Sequence, residues 1–281
     1  MDRERPEQEE KEPLFLDEKE ELFSSMQKKQ NVTVRDDHFD FNTLLDAARL
    51  FKDRSFRFRL IDTGVYDSFE LEWITAQGAD LYTSDKVRPD VRELELINAS
   101  SKRGNAIVAY LVDSRSEADG EEAEVSFIDL VNAGRSGVYI HLTGRERTQG
   151  TAQIALLAHN CRRGGSWLIY YHHGSLEESL VEVGGSGAWI HISDRSLADE
   201  QSRSWVRDIV RSTQSSGANL VLHWEKGVQF SVLEDVVKAG AVVLLKSALF
   251  DSKSPIKALE KGIRRKRLDY RSYYLYPTVL P

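Results

Sequence analysis

The sequence predicts an α/β protein, a single (β/α)8 TIM barrel with a charged N-terminal extension and a capping helix ahead of its first strand. Three observations carry that expectation. Eight short apolar runs of strand type recur, at residues 56–61, 79–83, 106–112, 138–142, 167–171, 188–192, 219–224 and 241–245. They begin roughly 20 to 30 residues apart, the length of one strand, one helix and two short loops. A glycine also stands just before most of them: Gly78, Gly104, Gly134, Gly164, Gly184 with Gly185, Gly217 and Gly240. A residue just past a helix end often turns left-handed, which glycine does without steric cost. Right-handed crossovers then make the strands parallel, with helices on one side.

Residues 1–37 read as an acidic, flexible extension. Residues 1–22 hold ten acids against four bases, Pro6 and Pro13 interrupt, and Leu14, Phe15 and Leu16 are the main apolar cluster. Residues 38–54 read as the capping helix, with Leu44, Leu45, Ala48, Leu50 and Phe51 at helical spacing and Asn42 as its N-cap. The barrel follows over 55–265. Its fifth helix is expected to be short, since residues 175–183 allow barely two turns, and residues 114–124 read as a long acidic loop. Residues 266–281 form a basic and aromatic tail, continuing the run of Arg264, Arg265, Lys266 and Arg267 into Tyr270, Tyr273, Tyr274 and Tyr276.

Composition narrows the function classes. A 41% apolar and 30% charged chain of 281 residues has the balance of a water-soluble protein. The net charge of −7 disfavours general nucleic-acid binding, which needs a positive surface. One cysteine, Cys161, excludes an intrachain disulfide and a cysteine-rich zinc site. No stretch approaches the roughly eighteen apolar residues of a membrane span, and the start lacks the apolar core of a signal peptide. A cytoplasmic protein with no cofactor and no metal is expected.

In a barrel the chemistry lies at the carboxyl ends of the strands. Asp62, directly after the first strand and before Gly64, is an acid/base candidate. So is one of His172 and His173, since strand alternation sends neighbouring side chains to opposite faces. Asp85 and Asp113 also follow strands, in positions that suit helix N-caps. His141, His191 and His223 fall inside strands and read as part of the barrel wall. Arg145, Gly227, Lys246 and Ser247 are the candidates for holding a phosphate.

The stretch from Val236 through Ala239, Gly240 and Ala241 to Lys246, Ser247 and Ala248, then Pro255, resembles the end of the ribulose-phosphate-binding barrels. The likeness is confined mainly to the last two strand units. It implies a phosphate site in the seventh and eighth strand–helix loops, with Gly227 and Ser247 matching the family pattern and Glu225, Lys226 and Lys246 departing from it. Two readings follow. One is an isomerase, epimerase or lyase acting on a phosphorylated small molecule. The other is a barrel without catalysis that serves as a scaffold for a protein partner.

Overall fold

Short β-branched and aromatic runs form the strands, and helices with one apolar stripe connect them. The computed structural model describes residues 14–15, 22, 24, 31–113, 125–145, 149–224 and 229–245. The fold class is the α/β one of a TIM barrel, with every strand pairing parallel. The chain divides into two units, residues 1–82 with 100–107 and residues 83–99 with 108–281.

In the first unit β1 (Leu14–Phe15), β2 (Val32–Arg35), β3 (Phe58–Ile61) and β4 (Ala79–Ser84) pair in chain order. β2 falls in the stretch expected to be extension. Its Val-Thr-Val alternation is a strand pattern only four residues long inside a charged context, and its register with β3 identifies it. The helix α1 (Phe41–Asp53) therefore runs between two paired strands as a crossover. Its buried face is Leu44, Ala47, Ala48 and Phe51. Its N-cap is Asp40, ahead of the expected Asn42, because Asp40 lies in extended backbone and its carboxylate accepts from the Thr43 N–H at 2.9 Å and hydroxyl at 2.7 Å. The next helix, α2 (Ser68–Ala76), opens with a reciprocal cap between Asp67 and Glu70. The unit is closed at one end by Asp80, fully buried, which accepts from the Ile107 N–H at 3.0 Å and faces Arg57 at 3.5 Å.

In the second unit β5 (Val108–Val112), β6 (Tyr139–Thr143), β7 (Leu168–Tyr171), β8 (Trp189–Ser193), β9 (Leu220–Trp224) and β10 (Val242–Leu245) pair in order. Helix α3 (Arg92–Gly104) precedes β5. The connections after it are α4 (Phe127–Ser136), α5 (Thr151–Gly164), the short α6 (Ser179–Gly185), α7 (Glu200–Ser215) and α8 (Phe230–Ala239). Strands β6 to β9 are buried along their whole length. Both of their faces are therefore covered, which is why they read as continuous apolar runs.

The glycines before the strands do two different jobs. Gly78, Gly217 and Gly240 take the expected left-handed backbone, as Gly137, Gly165 and Gly187 do. Gly104, Gly134, Gly164 and Gly184 instead lie inside helix ends, where they let neighbouring elements touch. A Cβ on Gly134 would stand 2.6 Å from Cys161 Sγ, and one on Gly164 would overlap the Gly134 carbonyl. Helices α4 and α5 thus meet backbone to backbone, sealing Cys161 and pushing its thiol up to about 12 by burial. No helix among the described residues is long and apolar enough to cross a membrane. The predicted loop at 114–124 and the tail at 266–281 lie outside the described residues.

Candidate active site at the strand ends of the second unit

Polar residues at the ends of three consecutive strands, β4 to β6, are linked from strand to strand, and these residues all fall in the second unit. Past β4, the Asp85 N–H donates to the Leu111 carbonyl on β5 at 2.9 Å. Past β5, the Asp113 N–H donates to Asp85 Oδ2 at 3.0 Å. At the end of β6, the Thr143 hydroxyl donates to Asp113 Oδ1 at 2.8 Å. Arg145 then brings Nη1 to 3.7 Å from Asp113 Oδ2. Parallel pairing of β5 with β6 continues Leu111 opposite His141 and Val112 opposite Leu142 up to this point, so register alone delivers Asp113 to Thr143.

The two carboxylates have different environments. Asp113 faces the Arg145 guanidinium and the Thr143 hydroxyl. Asp85 is pushed up to about 6, chiefly by burial and further by the charge of Asp113, against the pull of the Asp113 and Lys86 amides. Its Oδ1 is buried and has no hydrogen-bond partner among the described residues. A carboxylate with an unused lone pair and a proton affinity near neutrality is suited to accept and return a proton.

Beneath this cluster the strands carry imidazoles and a phenol where apolar side chains are usual. His141, Tyr171, His191 and His223 are all fully buried. His141 Nδ1 lies 3.1 Å from the Tyr171 hydroxyl, the Tyr171 ring meets His191 edge-on at 4.9 Å, and His191 Nδ1 lies 2.9 Å from His223 Nε2. Tyr171 pairs in register with Thr143 on one side and His191 on the other, which sets this string directly under the strand ends. Burial pushes His141 down to about 3. It also holds His191 well below the usual histidine range, helped by His223 and His141. His141 and His191 are therefore neutral at physiological pH.

The expected site residues fare differently. Arg145 joins the cluster. His172 is buried, donates from Nε2 to the Ser175 carbonyl at 2.9 Å, and packs 6.0 Å from the Tyr170 ring. Its neighbour His173 is half-buried. Asp62 belongs to the first unit, where Oδ1 accepts from the Gly64 N–H at 3.0 Å and braces the turn after β3. Next to it Asp36 accepts from the Thr63 amide and hydroxyl. Gly227, Lys246 and Ser247 lie outside the described residues. Asp85 and Asp113, expected as caps, are instead the centre of the cluster. A signal for this was present in Asp, Asp and Thr standing at the ends of three successive strands. Among the described residues no group of three or more His, Cys, Asp or Glu side chains is placed to hold a metal.

No protein-family model matches the sequence, and no curated protein is significantly similar to it. Solved structures that resemble the chain include a protein assigned as a fructose-1,6-biphosphate aldolase from Coccidioides immitis, 12% identical over 79% of this chain and 89% of that one, with a TM-score of 0.34. Deoxyribose phosphate aldolase from Aeropyrum pernix is 14% identical over 88% and 92%, with a TM-score of 0.28. A protein assigned as a lyase/mutase from Burkholderia cenocepacia J2315 is 12% identical over 91% and 95%, with a TM-score of 0.31. Likeness of this degree carries no argument about chemistry.

Proposed function

We propose that the protein is an isomerase, epimerase or lyase that moves a proton on a phosphorylated small molecule of the ribulose-phosphate kind. The observation that carries this reading is the buried Asp85 carboxyl beside Asp113, its proton affinity raised toward neutrality by burial and by the neighbouring charge. Asp85 takes a proton from a carbon beside a carbonyl. The electron pair of that C–H bond moves to the carbonyl oxygen, and Arg145 meets the negative charge formed there. Return of the proton to the former carbonyl carbon, with the hydroxyl proton of the first carbon passing to the oxyanion, isomerises the substrate, and return to the opposite face of the first carbon epimerises it. In a lyase the same carboxylate removes a hydroxyl proton, a carbonyl forms, the adjacent C–C bond breaks and the enolate falls to Arg145.

Thr143 and Arg145 hold the Asp113 carboxylate in place beside Asp85, whose proton affinity its charge raises. His173 is the histidine left for a second proton transfer, since His172 gives its Nε2–H to Ser175. Asp62 keeps a place among the acid/base candidates through its own unit. The phosphate falls to Arg145 with Gly227, Lys246 and Ser247, in the loops where barrels commonly hold one.

The test is solvent-deuterium incorporation into ribulose 5-phosphate and related ketose phosphates, followed by proton NMR. Exchange that Asp85→Asn lowers by about a hundredfold or more supports the reading, and loss of substrate-induced thermal stabilisation in Lys246→Ala supports the phosphate site. The scaffold reading draws on the local commitments of His172 and Asp62. It gains if no phosphosugar exchanges or stabilises the fold.

A further inference from the structure

Helix α2 is apolar on two faces. Leu71 and Ile74 are fully buried against the first unit, as the core requires. Phe69 and Trp73 point the other way, 64% and 52% exposed, with their rings 6.1 Å apart and edge to face. Val65, 57% exposed, and Leu50 of α1, 37% exposed, are further large apolar residues of this unit left in water. Spacing of four puts Phe69 and Trp73 in one row on the helix, and Val65 lies in the loop that leads into it. Single exposed apolar residues are ordinary, but a paired Phe and Trp in such a row has the composition of a binding hot spot.

We infer that this row is a two-fold interface with a second copy of the chain. Area supports that occupant. Each exposed aromatic leaves on the order of 100 Å² in water, given the 150–250 Å² such a side chain can bury. With Val65 and Leu50 each copy offers roughly 400 Å², so pairing removes about 800 Å² before any rim residue, close to the roughly 1,000 Å² of a specific interface. Charge supports it as well. The α2 segment carries Asp67, Glu70 and Glu72 and no cation, whereas the exposed end of α1 carries Arg49, Lys52 and Arg54 beside Asp46 and Asp53. A two-fold axis across an antiparallel pair of α2 helices lays Trp73 on the partner subunit's Phe69. It also sets the α1 cations of each copy near the α2 carboxylates of the other, as a self-complementary patch demands.

Sedimentation equilibrium on the full chain, from micromolar to hundred-micromolar concentration, tests this. The expected result is a monomer–dimer equilibrium whose dissociation constant rises about tenfold or more in Trp73→Glu, with far-UV circular dichroism and thermal midpoint unchanged. Phe69→Ser does the same and replaces Trp73→Glu should that variant misfold. Asp67→Lys weakens the dimer, and adding Lys52→Glu restores it. A monomer at every concentration overturns the inference, and so does a dimer indifferent to both aromatic substitutions.

Discussion

Two levels of the same strands solve the burial of polar groups in opposite ways. At the strand ends Asp85, Asp113, Thr143 and Arg145 share a network that keeps charge. One level down, His141, Tyr171, His191 and His223 are fully buried and bonded in pairs. Burial favours the neutral form in both places, yet it raises an acid and lowers a base. The two levels therefore respond to pH with opposite sign. Asp85 stays near a proton affinity at which transfer is easy, while His141 and His191 take up protons only well below neutrality.

The largest test of this contrast is acid. His141 binds its proton near 6.5 when unfolded and near 3 when folded. Between those values the unfolded chain holds more protons, so stability rises with pH and is lost as pH falls below about 6.5. The expected loss by pH 4 is several kcal/mol, read by denaturant unfolding across pH, and His141→Phe should flatten the slope. An unchanged slope in that variant would mean the imidazole titrates freely.

Next in size is the pairing of His191 with His223. His223→Leu alone strands the His191 Nδ1 in the core and should cost about 1–3 kcal/mol. Adding His191→Phe removes the orphan and should recover most of that loss, whereas simple additivity would show that the bond between them does not matter.

Asp85 gives an effect of opposite sign. Its folded proton affinity lies near 6 against 3.8 in the reference state, so its stabilising share is full below 3.8 and lost as pH rises through 6. Asp85→Asn should raise the melting temperature at pH 7.5 and leave it nearly unchanged at pH 4. Arg145→Ala should have the smallest effect on stability, no more than about 1 kcal/mol for a partly exposed ion pair. Lower stability of Arg145→Ala at pH 7.5 that salt does not diminish would place the guanidinium deeper than its exposure implies.

Much of the architecture was legible in the chain. The eight apolar runs became β3 to β10, because β-branched stretches of that length have few other ways to bury themselves. β2 escaped because four residues carry too little periodicity, and only its register with β3 distinguishes it from a charged tail. Four of the seven glycine stops serve another purpose than the expected left-handed turn. The composition of a helix end looks the same whether its glycine turns left-handed, as Gly240 does, or admits a neighbouring helix, as Gly164 does.

The site was legible only as a set of positions. That Asp85, Asp113, Thr143 and Arg145 stand at strand ends follows from local pattern alone, since each marks where an apolar run stops. Which of them bond from strand to strand and which merely brace a turn does not follow, as Asp62 and Asp85 each stand directly after a strand and make different bonds. Periodicity determines where a chain becomes strand or helix because it is a local property of side-chain size and polarity. Proton affinity is decided by burial and by charges brought from strands about thirty residues apart in sequence, and only the register of the folded strands supplies those.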